Sequence, residues 1–427
     1  MANRQGTPRA APDAPGVSTR RAALRLLDAV LRRGLPLEAA LPAATAGLPH
    51  ASDQALAHAL AAAVLRRLAD LDMLIDSATA RPLPVDAKAR FVLRLALAQA
   101  LVLRTPPHAA IATVLPLVEG GPRKLVHGVF GTLLRQGAGL ADAATLPATV
   151  AARWGAAWGA DVVRHAGEQV AAPPPLDLTL REAEPPVAVP GSTLLPGHRR
   201  LPAGTSVPAM PGFEEGAWWV QDIAASLPAR LIGQGRGRAL DLCAAPGGKT
   251  LQLAAAGWQV TAVDIAESRL ARLGQNLQRT GLHADIVTAD VLDWAPAEPA
   301  EAVLLDAPCS ATGIFRRHPD VLHRVRPSLI AETAALQERL LARAADWVGL
   351  GGVLVYATCS LEPEEGEAQL ERFLAARGDY ALEPVGASDL PAGVPPHPRG
   401  WIRTLPGMLA DAGGCDGFFI ARLRRTA

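Results

Sequence analysis

Cysteine is scarce in this 427-residue chain: Cys243, Cys309, Cys359 and Cys415 are the four, and none lies closer than 50 positions to the next. That spacing excludes a zinc knuckle and a redox CxxC pair, so any cysteine that matters acts singly. Long apolar runs are also missing. FVLRLALAQALVLR is interrupted by Arg94, Gln99 and Arg104, short of the roughly 18 residues a membrane span requires. The first residues, MANRQGTPRAAPDAPG, contain no apolar h-region. A soluble protein of a reducing cytoplasm, with no membrane partner and no metal, is the expectation. Lysine is nearly absent, with only Lys88, Lys124 and Lys249 among 42 basic residues, and such arginine richness is as readily coding bias as phosphate recognition.

What is present supports folded domains. Hydrophobic residues make up 49% of the chain, with 39 Gly and 37 Pro, below the share that marks low complexity. The length predicts two or three domains. The net charge of +1 conceals an asymmetry: residues 1–170 carry 19 Lys+Arg against 12 Asp+Glu, and the remainder 23 against 29. A basic first half is a modest pointer to a polyanionic partner and equally an ordinary solvated surface.

Residues 1–17 read as a loose arm. From Ser18, STRRAALRLLDAVLRRG puts Ala22, Leu26, Leu27, Val30 and Leu31 on one helical face behind a Ser/Thr cap, with Gly34 as a stop. Ser52 is expected to cap a second long helix, and further helices are expected over 86–103, 107–119 and 122–136. These make an all-helical domain over 18–140. Ten prolines between 171 and 215 argue for a small irregular α+β connecting subdomain over 141–215. From 216 to 427 the pattern is strand, turn, helix, with strands expected at 239–243, 259–264, 284–290, 302–307 and 352–358. Alternating β and α segments imply a doubly wound, Rossmann-like α/β sheet. DYALEPV and DGFFIARLRR are candidate antiparallel edge strands.

The sharpest local feature is LDLCAAPGGKT, a strand entering a glycine turn that opens a helix. Gly247 and Gly248 let the backbone approach a nucleotide-like ligand closely. A Walker A loop is excluded, because Cys243 stands where that motif needs glycine, and G-x-G-x-x-G spacing is absent. Asp241, Asp264, Asp290 and Asp306 each fall at or near a strand end, the edge where open α/β sheets bind ligands, and Asp264 is placed for ribose hydroxyls. Cys309 follows the strand that ends at Asp306, in DAPCSATGIFRRHPD, and Cys359 the next strand, in ATCSLEPEE. Two single cysteines on facing loops point to covalent chemistry, for which a thiolate is suited. Cys359 also precedes a helix expected to open at Pro363 and Glu364. Cys243 and Cys415 read as small buried hydrophobes.

DLCAAPGGKT, DAPCSATG with RRHPD, and ATCSLEPEE together resemble the S-adenosylmethionine-dependent RNA 5-methylcytosine methyltransferase family. The helical region, with DQALAHAL, VLRRLADLD and HAAIATVLPLVE, is similar to NusB-like RNA-binding domains. Their pairing resembles the small-subunit (16S) ribosomal RNA branch of the family. The resemblance implies a seven-stranded S-adenosylmethionine methyltransferase domain. It implies that Cys243, Ala244, Ala245, Pro246, Gly247, Gly248 and Lys249 wrap the methionine and ribose side of S-adenosylmethionine. Asp264 then holds the ribose, Asp290 lies by the adenine, and Asp306 faces both methyl donor and target base. Cys359 is implied as the nucleophile at C6 of cytosine and Cys309 as the group that assists release. Arg316, Arg317 and His318 are candidates to grip RNA phosphates. The implied partner is 16S rRNA or an assembling small subunit, met by a monomer.

The chain departs from the family pattern at three places. Gly366 takes the Asn position of PEEN, KLVHGVFGTLLR replaces a KgxVNxVLR-like end, and LDLTLREAE replaces an RVN-type strand. The alternatives are a cytosine-C5 enzyme acting on tRNA or another rRNA, and a catalytically idle RNA-binding factor of antitermination type.

Overall fold

A computed structural model describes residues 14–185 and 187–427. Most of the expected N-terminal arm therefore lies outside the described residues, and Val17 already opens a helix. The chain forms two compact units. One comprises residues up to Pro147 together with His318–Arg324, and the other Ala148–Arg317 with Val325–Ala427.

The first unit is helical: Val17–Leu31, Leu37–Thr45, Ala51–Arg66, Leu68–Ser77, Lys88–Leu97, Pro107–Val114 and Gly120–Arg135. Leu26, Leu27 and Val30 of the first helix are fully buried in a core shared with Leu60, Leu71, Leu93 and Phe130, as the period of their spacing requires. The helix expected behind Ser52 begins one residue earlier, at Ala51, and makes no side-chain cap. It breaks at Arg67, whose guanidinium instead reaches Asp70 and the Asp142 carbonyl. Leu37–Thr45 was hidden in the sequence by Pro42. Arg94 pairs with both oxygens of Asp72 at 2.8 Å, which ties Leu68–Ser77 to Lys88–Leu97. His318–Arg324 completes this unit: Asp320 accepts the Leu37 amide and Arg324 Nε, and His323 hydrogen-bonds the Leu65 carbonyl.

The second unit begins with helices Ala148–Trp158 and Ala160–Val170. The stretch expected as a separate subdomain over 141–215 is thus divided, with its first residues in the helical unit and the rest in this one. A small antiparallel sheet follows, of β1 (Leu176–Leu180), β2 (His198–Leu201) and β3 (Trp218–Val220), in the order β2-β1-β3. LDLTL forms β1, whereas VAV forms no strand.

The main sheet consists of β4 (Arg238–Leu242), β5 (Gln259–Asp264), β6 (Asp285–Thr288), β7 (Ala300–Asp306), β8 (Val348–Thr358), β9 (Tyr380–Leu382), β10 (Ile402–Thr404) and β11 (Phe418–Arg425). Seven run in the order β10-β11-β8-β7-β4-β5-β6, and short β9 pairs with β11. Strands β4 to β8 are parallel. β11 is antiparallel to β8, as DGFFIARLRR suggested. Val303, Leu305, Leu354 and Tyr356 are buried on one face, and Leu304, Val355 and Ala357 on the other, so helices must cover both. No helix among the described residues is long and apolar enough to cross a membrane.

Candidate active site

Strand order determines the site. β4 is central, with β5 and β6 to one side and β7 and β8 to the other, which makes the carboxyl end of β4 the switch point where such sheets bind ligands. Along that edge stand the Cys359 loop after β8, Asp306 and Cys309 after β7, the Cys243–Lys249 turn after β4, Asp264 ending β5 and Asp290 beyond β6.

The turn after β4 is tight. Cys243 adopts a left-handed conformation at φ 61°, the Ala245–Pro246 bond is cis, and Gly247 lies at φ 106°. A Cβ on Gly247 would also strike Leu273, so this position requires glycine. Ala244 donates its amide to the Val263 carbonyl and Ala245 donates to Asp264. Helix Gly248–Ala255 starts here without a side-chain cap, and its first amides have no partner within the helix. Burial, reinforced by Asp264, pushes the pKa of the half-buried Cys243 thiol well up, which disfavours its thiolate. Cys415 is buried and likewise raised.

The acidic residues differ in state. Asp264 is buried and accepts the Ala245 and Ala266 amides at 3.1 and 2.8 Å, with the exposed Arg269 guanidinium at 2.9 Å. Asp290 is half-buried and accepts the Leu292 amide, which leaves carboxylate lone pairs open. Asp241 is fully buried beneath the turn and accepts the Thr250 hydroxyl through one oxygen, while its other oxygen has no partner. Burial pushes its pKa up to about 7.

Lys249 Nζ reaches Asp306 Oδ2 at 2.6 Å. Burial works against its charge, but the attraction of Asp306 outweighs this and raises the ammonium pKa, with a smaller contribution from the Cys359 sulfur. Cys309 and Cys359, 50 residues apart in sequence, bring their Sγ atoms to 3.4 Å. The Cys309 thiol is held well above its usual pKa, chiefly by its hydrogen bond to Cys359 and then by burial. The two loops are stitched together by the Gly313 amide, which donates to the Cys359 carbonyl at 2.9 Å.

Arg316 is almost fully buried and bonds Asp416 at 3.0 Å, Asp222 at 3.1 Å and the Gly413 carbonyl at 2.7 Å. Arg317 bonds the same two carboxylates, at 2.7 Å to Asp222 and 3.2 Å to Asp416. Two guanidiniums face two buried carboxylates in a charge-balanced cluster; Arg316 is enclosed by it and is not the exposed RNA contact expected, while Arg317 keeps 23% of its side chain exposed. His318 is half-buried and opens the segment built into the helical unit. The helix expected at Pro363 starts at Glu367 after a single turn over Pro363–Glu365.

Sequence reasoning missed Glu365, which is completely buried and accepts hydrogen bonds from both cysteine loops. The available signal was the serine that follows each cysteine. Gly366, one of the departures, has no room for a side chain: a Cβ would press on Arg403 and on the Phe419 ring.

The family described as 16S rRNA methyltransferase RsmB/F matches residues 230–424, and the NusB family matches residues 17–129. Ribosomal RNA small subunit methyltransferase B of Xanthomonas campestris pv. campestris is 36% identical over 442 aligned positions, spanning 97% of this chain and 98% of that protein. The protein of the same name from Xylella fastidiosa (strain Temecula1) is 37% identical, spanning 96% and 98%. The crystal structure of PH0851 shares the fold, with a TM-score of 0.72 at 22% identity over 97% of this chain and 100% of that one. With such identity along nearly its whole length, the chain belongs to the RsmB/F family of 16S rRNA methyltransferases and carries that family's methyltransferase region behind a NusB-like one.

Proposed function

We propose that the protein transfers a methyl group from S-adenosylmethionine to C5 of a cytosine in 16S rRNA, through a covalent bond between Cys359 and C6 of the base. The observation that carries this reading is the pair of thiols 3.4 Å apart at the sheet edge, next to the Lys249–Asp306 pair. S-adenosylmethionine supplies an activated methyl, so no metal is required.

The residues present suit that donor. The amides opening Gly248–Ala255 are placed to donate to an anionic carboxylate, Asp264 and Asp290 offer carboxylates to a ribose diol and an adenine amine, and the negative Asp306 favours a cationic sulfonium. Asp241, with one oxygen unpartnered under the turn, adds polarity from below.

C5 of cytosine is a poor nucleophile until the Cys359 thiolate adds at C6 and makes the ring an enamine. Asp306 is placed to hold the N3/N4 edge of the base, with Lys249 fixing its carboxylate. After methyl transfer the C5 proton leaves to a base, and the C6–S bond breaks to return the Cys359 thiolate. Cys309 is the nearest relay for that proton. Its raised pKa keeps it a thiol at rest; once its own proton has passed to solvent, the Cys309 thiolate is a strong base that takes the C5 proton and ends the cycle as the thiol. The target base must leave its stack to reach these groups. The NusB-like unit supplies RNA contacts from the basic half of the chain.

The test is incubation of the purified protein with methyl-labelled S-adenosylmethionine and unmethylated 16S rRNA, free or in small subunits, followed by nucleoside mass spectrometry and site mapping. Label in 5-methylcytidine at one position is expected. Label in tRNA but not 16S rRNA would move the substrate assignment, and RNA binding without any methylation would favour the idle-factor reading.

A further inference from the structure

The two cysteines sit on separate loops, and something must hold their sulfurs at contact distance while RNA and methyl donor come and go. We propose that Glu365 is the positioning residue that sets the distance between the two reactive thiols, acting through Ser310 and Ser360; this rests on the cysteine-adduct reading above.

The geometry points there from both sides. Ser310 directly follows Cys309, and Ser360 directly follows Cys359. Glu365 Oε2 accepts both serine hydroxyls at 2.5 Å, and Oε1 accepts the Ser310 amide at 2.9 Å. Oε1 is in turn anchored to helix Pro327–Asp346 by the Thr333 hydroxyl at 2.5 Å and Gln337 Nε2 at 3.2 Å. Gln337 also donates to the Pro308 carbonyl, on the other side of Cys309. The backbone carbonyl of Glu365 accepts the Tyr356 and Thr358 hydroxyls, which fixes it to the end of β8. Every neighbour of the carboxylate is a donor, and the two serine oxygens lie 3.3 Å apart. A buried carboxylate with no solvent and all its partners in place is rigid, and it converts two loops into one platform. The negative charge also helps keep the neighbouring Cys309 protonated.

Two variants separate positioning from folding. Glu365→Gln keeps the shape of the group. The double variant Ser310→Ala/Ser360→Ala removes both hydroxyl links to the loops but leaves the Ser310 amide bond and the Thr333 and Gln337 anchors. The first readout needs no methylation: 4,4′-dithiodipyridine is added to the protein. One thiolate attacks the reagent, forming a mixed disulfide and expelling one thiopyridone. The second attacks the mixed disulfide, forming Cys309–Cys359 and expelling another, so two thiols are oxidised and one reagent is reduced. In the parent the second release should follow the first at once, with the Cys309–Cys359 link found by peptide mass spectrometry. In the double variant the second release should slow by about tenfold or more and the mixed disulfide should persist, because a displacement of about 1 Å removes that much intramolecular advantage.

The second readout is methyl transfer, where kcat should fall by about tenfold to a hundredfold while KM for S-adenosylmethionine stays within about twofold. Should Glu365→Gln fail to fold, the double variant decides. Pairing and kcat both within about twofold of the parent in a folded double variant would overturn the proposal. Lost pairing in a protein whose parent forms no RNA adduct would uphold the positioning role and reject the cysteine-adduct reading.

Discussion

Lys249 Nζ, in the first turn of the helix that follows β4, and Asp306 Oδ2, at the end of the adjacent strand β7, lie 2.6 Å apart, and this ion pair joins the proposed donor-binding turn to the proposed base-binding carboxylate. Lys249 is mostly buried and Asp306 is 29% exposed. Asp306→Asn leaves the ammonium without its counter-charge. The stability loss should be about 1–3 kcal/mol, below that of a fully buried broken pair because solvent reaches the site. Methyl transfer should fall by about a hundredfold through loss of charge stabilisation at the base. Urea unfolding and single-turnover methylation measure the two losses; a variant that keeps parental activity contradicts the role given to Asp306.

Asp241 makes stability depend on pH. The folded chain holds its proton up to about pH 7, whereas the unfolded chain releases it at the ordinary carboxylate value. Between those limits the folded state binds more protons, so stability falls as pH rises and levels off above about pH 7. Asp241→Asn has no proton to lose. Its melting temperature relative to the parent should therefore rise between about pH 5 and about pH 8, by an amount worth about 1 kcal/mol or more. A difference that does not change with pH contradicts the burial argument.

Arg316 serves architecture in this account. Arg316→Ala leaves the buried Asp222 and Asp416 to share Arg317 alone, one negative charge uncompensated, and a cost of about 3–5 kcal/mol is expected from breaking a buried pair. The salt dependence of RNA binding should be unchanged in whatever protein remains folded, because no phosphate contact has been removed. A reduced salt slope with unaltered stability would restore Arg316 as an RNA contact.

Gly313 is required where three backbone segments meet. A Cβ there would collide with the Gly417 carbonyl and sit 3.0 Å from the Cys359 carbonyl. Gly313→Ala should cost about 1–3 kcal/mol through overpacking and should disturb the Cys359 loop. Thermal unfolding and adduct formation check both effects.

The features readable in the sequence were those that repeat or have a fixed order. The strand ends carrying Asp264, Asp306, Cys309 and Cys359 were visible because short apolar runs stop at turn residues. The helical face of Leu26, Leu27 and Val30 was visible by its period. What escaped depended on side chains far apart in sequence. Nothing local in RRHPD reveals that Arg316 and Arg317 face Asp222 and Asp416, about a hundred residues away on either side. EPEE reads as a solvated helix start, but Glu365 turns inward because four side chains and the Ser310 amide supply it with donors. The break at Arg67 was hidden by an unbroken helical pattern that a buried guanidinium overrode.

In the proposed mechanism Cys359 attacks the base and Cys309 assists its release. The most direct measurement incubates Cys359→Ala, Cys309→Ala and the parent with labelled S-adenosylmethionine and unmethylated 16S rRNA, then scores methyl transfer and denaturation-resistant protein–RNA adducts. The Cys359 variant is expected to be inert and adduct-free, while the Cys309 variant accumulates a trapped adduct. Adduct trapping by Cys359→Ala, or methyl transfer at parental rate without Cys359, would contradict that mechanism.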